Sequence, residues 1–481
     1  MSISTALSNA MSGLRAAGRA SQVVSSNISN ATTPGYGVRE ISLSSSQIGG
    51  VTVEGIVRIV DPVLVADLRL ASAGHEKATT IADFHEKLEG LVGTADNEFS
   101  LAARIAGFEE DITTAASRPD ATERLENVVH SARDLASTLE RASLGVQEMR
   151  TNADTNIELQ VNRLNAALKE VEDLNTRIKR TGSVGGDTSA LEDNRQALVD
   201  EISGIVPVRQ VPRDHGEIAL YSTGGAILLD NHAAEIGFTR SNQVTPYMTI
   251  GAGTLSGLTL NDLDIRTDSV KGHLRGGSLG ALFEIRDELG VEAQAKLDAV
   301  ARDLIERFED PAVDPTLAVG DPGLFTDDGL AFDPLAEVGI SQRIRINALV
   351  DPQNGGDAWR IRDGIGAAVP GDVGDARLIQ ALGEAMLAKR VPASGGFGSG
   401  AFDAINLTST LSSQLGAERY QADQRLTFAA AEYTEMTELV LAQGVDSDSE
   451  LQKMMVIEQI YAANARVIEA ITEMMDSLLR L

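Results

Sequence analysis

Residues 276–280 read Gly-Gly-Ser-Leu-Gly and fit G-x-S-x-G, the sharp strand-to-helix turn that presents a nucleophilic serine in hydrolases. A serine hydroxyl attacks only when a base takes its proton, and in that fold the base is a histidine further along the chain. The six histidines stand at 75, 85, 130, 215, 232 and 273, so none follows Ser278. The segment before it is also a poor buried strand. Ser278 reads instead as a cap for the helix that begins there. A serine hydrolase at Ser278 is the distant alternative, and no catalysis is expected.

Other chemistries are equally bare. The chain has no cysteine, which excludes thiol catalysis, cysteine-zinc sites and disulfides. There is no H-E-x-x-H, no P-loop and no Rossmann glycine pattern. The acidic stretch FTDDGLAFD (325–333) lacks the ligand spacing of an EF-hand and reads as a solvated loop. No cofactor and no metal are expected.

The net charge is −29, from 70 acidic and 41 basic residues, which repels phosphate and argues against nucleic acid as a partner. Residues 1–50 are the exception: Arg15, Arg19 and Arg39 outweigh Glu40. Aromatic residues make up only 4%, with Trp359 the single tryptophan, which favours helices packed through small aliphatic side chains. No apolar run is long enough to span a bilayer, so membrane insertion is not expected. No basic start with a continuous apolar stretch marks a cleaved signal. Export by a route that cleaves nothing is the sharper expectation, with a cytoplasmic protein as the plain one.

These absences shift attention to the elements. Ten of the 13 prolines lie between Pro207 and Pro392, while 120–206 and 393–481 have none. Proline in a helix interior costs about 3 kcal/mol, so helical flanks should enclose a strand-and-loop middle. A first helix is expected over about residues 4–31, with Leu7, Leu14 and Ile28 in one row and Ala10, Ala17 and Val24 in the next. Gly13 and Gly18 would weaken an isolated helix but admit close neighbours. A strand is expected over 51–60. A long helix should begin near Asp120, where Asp120 and Glu123 imitate a capping box, and run to about Arg180, with Gly145 its weak point. Along it Ile157, Val161, Leu164, Leu168, Val171, Asn175 and Ile178 step by four and three, a seam for another helix. Residues 187–203 turn back as a helix, 206–275 are β-rich, and 278–308 are helical. QRIRINAL (342–349) reads as a strand and 376–390 as a helix. A last helical stretch covers 406–481 with a break at Gly444 and an S-x-x-E capping box at Ser447 and Glu450. On it Met454, Tyr461, Ile468 and Met475 form one row, and Ile457, Asn464, Ile471 and Leu478 the next, widened by Ile460, Val467 and Met474.

The expected class is therefore mainly α with β-rich insertions. The terminal helices pair as a coiled coil, next to a long-helix bundle and outer β-regions. The expected division is 1–60 with 440–481 as the terminal domain; 61–205 with 276–310 and 376–439 as the bundle; 206–275 as a β-rich outer domain; and 311–375 as a small insertion. The first helix has no apolar partner in the next hundred residues, and the last helix supplies one. Such a pair is marginal alone and buries its remaining faces against copies or relatives. That is how a polymer subunit is built, and its ends are expected to order on joining the polymer.

ALSNAMSGLRAAGRASQVVSSNISNATTPGYGVRE (6–40) resembles the N-terminal signature of the bacterial flagellar axial proteins, through Ser12-Gly13-Leu14, Asn27, Ile28, Asn30 and Thr33-Pro34-Gly35-Tyr36. The helices of 98–203, GGSLGALFEIRDEL with LDAVARDLIERF, and the stretch 443–479 are similar to the hook-associated members at the hook–filament junction. In the last stretch Tyr461, Ala463, Ala465, Arg466, Val467 and Ile468 carry the likeness, and Gln443 departs from the usual serine. The resemblance implies a structural, extracellular subunit that is exported unfolded by the flagellar type III apparatus. It would form a ring of copies between the hook protein and a second junction protein. The implied assembly interface is Leu7, Ala10, Leu14, Ala17, Val24, Ile28, Asn30, Pro34, Gly35 and Tyr36 with Met454, Ile457, Tyr461, Asn464, Arg466, Ile468, Ile471, Met475 and Leu478. An export chaperone would hold Ile460, Val467 and Met474. A hook protein or another axial subunit is the alternative, but a hook protein would go from the Thr-Pro-Gly-Tyr turn mostly into β-domains. A coiled-coil adhesin would usually carry a cleavable signal or a membrane anchor.

Overall fold

The structure is a computed structural model that describes residues 3–33, 35–46, 49–94 and 97–480. Helix α1 (Ile3–Ser29) leads into an antiparallel hairpin of β1 (Val38–Ser45) and β2 (Val51–Ile59). Four helices follow: α2 (Pro62–Val92), α3 (Leu101–Ser117), α4 (Thr122–Ser183) and α5 (Ser189–Ile205). The middle holds one sheet in the order β3 (Val208–Pro212), β4 (Ile218–Ser222), β5 (Ile227–Asp230), β6 (His232–Ala233). A second sheet comprises β7 (Ile236–Gly237), β8 (Leu258–Leu260) and β9 (Leu263–Ile265). Helix α6 (Gly277–Glu284) passes through a π-helical turn, Ile285–Leu289, into α7 (Gly290–Phe308). The short elements β10 (Phe325–Asp327), α8 (Ile340–Arg343), β11 (Ile344–Ile346) and α9 (Arg360–Asp363) precede α10 (Arg377–Leu387). The chain ends in α11 (Ala404–Ala442) and α12 (Ser447–Leu479). The fold is mainly α with small antiparallel sheets, as the composition and proline placement predict.

The 62-residue α4 is the spine, about 93 Å long at 1.5 Å per residue. All seven seam positions, from Ile157 to Ile178, are buried. Their cover is α5 and, unexpectedly, the small sheets. The polar seam member explains how. Asn175 Nδ2 donates to Ile218 O at 2.9 Å, and its Oδ1 accepts from Ile218 N at 3.2 Å. Asn165 does the same for Ile236, at 2.8 and 2.9 Å. Each amide reproduces one rung of a β-ladder, so the spine grips the first residues of β4 and β7 as a neighbouring strand would.

A buried polar network fixes α4 to the returning helix. Arg286 is fully buried and pairs with Asp154 at 2.6 Å and Asp287 at 2.8 Å. Arg150, also fully buried, donates to Arg286 O, Gln147 Oε1, Thr245 O and Met248 O. Burial pulls its guanidinium down to about 10. Gln147 and Ser143 both donate to Gln294 Oε1, and Gln294 Nε2 donates to Asp298 and Ser341.

Several local readings are corrected. No capping box opens α4: Ala121 holds the cap position without a side-chain bond, because Asp120 is drawn back to Arg118 at 3.3 Å. Gly145 is no break, since it lies inside the unbroken helix against Leu91 of α2. The predicted strand 342–349 shrinks to Ile344–Ile346, because the Asp298 carboxylate accepts from Gly339 N and Ser341 N and winds the preceding residues into a helical turn. The β1 strand was not anticipated. Ser278 does not cap α6: Gly276 does, and Ser278 lies within the helix, its hydroxyl donating to Gly204 O at 3.3 Å. Gly277 explains the glycine pattern. It takes φ +61°, and a Cβ there would stand 2.3 Å from Ile205 O, so this turn lets two helix ends touch and exposes no nucleophile.

Replacing Arg286 with Met should leave Asp154 and Asp287 buried without their counter-charge. Removing one partner of a buried pair costs about 3–5 kcal/mol. A urea unfolding curve on the purified chain checks this loss.

Candidate assembly interface at the chain ends

Helix α1 lies antiparallel along α12: Ser21 Oγ meets Met454 Sδ at 3.4 Å, and Asn27 meets Glu450 at 2.9 Å. The hairpin β1–β2 covers a flank of α1, so its cover is not confined to the last helix. Gly13 faces Asn464, and a Cβ on it would stand 2.8 Å from Asn464 Oδ1. Gly13 thus sets how closely the helices approach. Gly18, expected to admit a close neighbour as Gly13 does, opens on free space.

The signature residues converge on one side chain. Asn27 is fully buried and uses every polar position of its amide. Nδ2 donates to Arg39 O and to Glu450 Oε2, both at 2.9 Å. Oδ1 accepts from the Tyr36 hydroxyl at 2.8 Å and from Arg39 N at 3.1 Å. One amide therefore joins α1, the turn, β1 and α12. Asn30 ties the turn locally, donating to Ser26 O at 2.9 Å and accepting from Thr33 Oγ1 at 3.3 Å. Ser12 accepts from Val51 N at 3.1 Å and so pins the start of β2. The Arg39 guanidinium stacks over the Tyr36 ring at 4.8 Å and pairs with Asp193 of α5 at 2.7 Å. Asp193 also takes Arg58 at 2.7 Å and Gly37 N at 3.1 Å. These bonds fasten the hairpin to the helical body.

Glu450 stands where the S-x-x-E reading placed a capping residue. Asp446 is the cap, accepting from Asp448 N and Ser449 N. Glu450 is thereby free to turn inward, 2% exposed, bonded to Asn27 and to Lys453 at 2.7 Å. Its carboxylate, with Glu40 beyond, holds the Lys453 ammonium above its ordinary range.

The expected interface residues separate into an inner and an outer group. Ala10, Ala17, Val24 and Ile471 are buried, and Leu7, Leu14, Ile28, Met454, Ile457, Asn464 and Ile468 are half-buried. Asn30, Gly35 and Tyr36 form the turn, and Pro34 lies outside the described residues. Tyr461, Arg466, Met475 and Leu478 are exposed, as are Ile460, Val467 and Met474. A groove of about 740 Å³ runs between α1, the hairpin and α12, floored by Ala16, Ala20, Val23, Ile41 and Val456 among others. Asn27, Ser12, Glu450 and Asp193 were missing from the expected interface. The first two stood in the signature, Glu450 was assigned to a cap, and nothing in the sequence around Asp193 marked it.

Three family models match in sequence order. Residues 7–36 match the flagella basal body rod protein, and 440–481 the C-terminal part of the flagellar basal body rod FlgEFG protein. Residues 85–312 match the helical domain of flagellar hook-associated protein FlgK. Over these three stretches the chain is similar to flagellar rod-type and hook-associated proteins. A flagellar hook-associated protein 1 from Escherichia coli (strain K12) is 26% identical over 312 residues, covering 62% of this chain and 56% of the relative. One from Bacillus subtilis (strain 168) is 23% identical over 335 residues, covering 63% and 66%. The chain thus spans between half and two thirds of the length of these relatives. The structure of the flagellar hook junction protein FlgK from Burkholderia pseudomallei aligns with a TM-score of 0.46 at 19% identity, over 54% of this chain and 46% of that one. The two rod-type matches fall on the two helices that Asn27 joins.

Asn27→Ala should remove the bonds to Glu450 and to the Tyr36 hydroxyl, leaving them Lys453 and Ser26 Oγ, at about 0.5–1.5 kcal/mol for each lost bond. Amide hydrogen exchange is expected to accelerate over 38–45 and 447–460 and to stay slow over 122–183.

Proposed function

We propose that the chain is a structural subunit joining the flagellar hook to the filament, assembled through its terminal helices, and not an enzyme. The observation that carries this reading is the outside of α12. Tyr461, Val467, Met474, Met475 and Leu478 remain 43–59% exposed although α1 covers the inner face. An apolar stripe of this extent marks a surface meant for a protein partner. Similarity to the helical domain of flagellar hook-associated protein and to hook-associated protein 1 relatives supports the partner class. Copies of the chain form a ring, with the hook protein on one side and a second junction protein on the other, in the extracellular part of the flagellum. The subunit travels unfolded through the type III export apparatus without a cleaved signal, and an export chaperone covers Ile460, Val467 and Met474 beforehand.

In this reading 1–60 with 440–481 is the assembling domain, and 61–205 with 276–310 and 376–439 is the bundle that carries load. The part at 206–275 faces outward, and 311–375 is a small insertion. The long α4 and the helical-domain match over 85–312 favour a junction subunit over a hook protein.

Tyr461→Asp and Met475→Asp change exposed side chains. Monomer stability is therefore expected to move by no more than about 0.5 kcal/mol, while incorporation into flagella is lost. Normal incorporation of both variants, read by immunoblot of sheared flagella, would sink the proposal.

A further inference from the structure

The chain as a whole is strongly acidic, at −29, yet one concavity is basic. It encloses about 290 Å³ where β2, the first turns of α2, α5 and the edge strand β3 meet, and Arg58, Arg69, Arg195 and Arg209 line it with a single carboxylate, Glu192. The nearby acids are already engaged: Asp193 holds Arg39 and Arg58, and Asp200 holds Arg69. Glu192 accepts from Thr188 Oγ1 at 2.7 Å.

Arg195 is only 9% exposed, and its partners are neutral: Asn175 Oδ1 at 2.8 Å and Gly216 O at 2.7 Å. Among the described residues neither Arg195 nor the exposed Arg209 forms an ion pair. Withdrawing a guanidinium from water without a direct ion pair is unfavourable; burial lowers the proton affinity of Arg195, Glu192 offsets part of that, and Arg58 and Arg69 lower it further. The structure holds a buried cation, two further cations beside it and an open mouth with Arg209 at its rim.

We infer that this concavity receives a carboxylate side chain from a second copy of the chain. A guanidinium fork takes a carboxylate through two parallel hydrogen bonds. With 70 acidic residues against 41 basic ones, an adjacent copy carries an excess of carboxylates to offer. The concavity also lies at the root of the hairpin that follows α1. The inference rests on the reading of the chain as a ring-forming subunit. It adds a second, electrostatic contact to the apolar one on α12.

The test places a photo-reactive p-benzoylphenylalanine at position 209 of the full chain and irradiates assembled flagella. The expected product is an adduct of two copies, with an acidic peptide of the second copy identified by mass spectrometry. No homotypic adduct, or adducts only with a different protein, overturns the inference. Arg209→Glu is expected to melt as the unaltered chain does and to reduce incorporation at least tenfold, while Arg209→Lys retains most of it; undiminished incorporation of Arg209→Glu also overturns it. The unaltered chain, measured alongside, separates the two claims. If it enters flagella and Arg209→Glu enters equally well, only the inference fails. If the unaltered chain does not enter, the assembly reading fails and takes the inference with it.

Discussion

The arrangement of the chain ends depends on the amide of Asn27. A buried primary amide has two donors and two acceptor lone pairs, and leaving any of them bare inside a protein is costly. Here all four are filled by groups from the turn, from β1 and from α12. The partners lie 9, 12 and 423 residues away in sequence. One side chain therefore sets the exit path of α1, the start of the hairpin and the register of the last helix. The apolar contacts along α1, built from alanine and valine, would tolerate sliding by a turn. The Asn27–Glu450 bond does not, which is how a polar residue in an otherwise small-residue seam specifies one alignment.

The same device recurs in the body. Asn165 and Asn175 of α4 each hold both backbone groups of one strand residue. The short strands of the middle region contribute little sheet of their own, two to five residues each. Two-stranded and very short sheets are marginal in water. Their order comes from the spine, and Arg150 adds to it by capping the carbonyls of Thr245 and Met248.

How much of this was legible in the sequence depends on the kind of signal. Periodicity exposed α1, α4 and α12, because a helix buried on one side repeats its apolar residues every three or four positions. The alanine row of α1 proved the more deeply buried, and the leucine row only half so. Caps were read less well. Asp120 and Ser447 had the right types and spacing, but Arg118 and Asp446, each one or two residues away, competed for the same bonds. The strand β1 was missed because VREISLSS mixes exposed and half-buried positions without alternation. The roles of Glu450 and Asp193 depend on partners 423 and 154 residues distant, and no local pattern announces such a pairing. The G-x-S-x-G match shows the reverse case: a local pattern whose glycines serve helix packing.

The antiparallel course of α1 and α12 has a mechanical meaning. Ser29 and Ser447, the points where the two helices connect to the rest of the chain, lie at the same end of the pair, next to Asn27 and Glu450. Tension between the body and the far ends of the helices therefore pulls both helices in the same direction. They behave as two cables clamped side by side, each stretched along its own axis, with little tendency to slide past one another. The clamp sits at the end where both helices join the body, so tension along the pair would be shared as axial strain and would not peel one helix from the other.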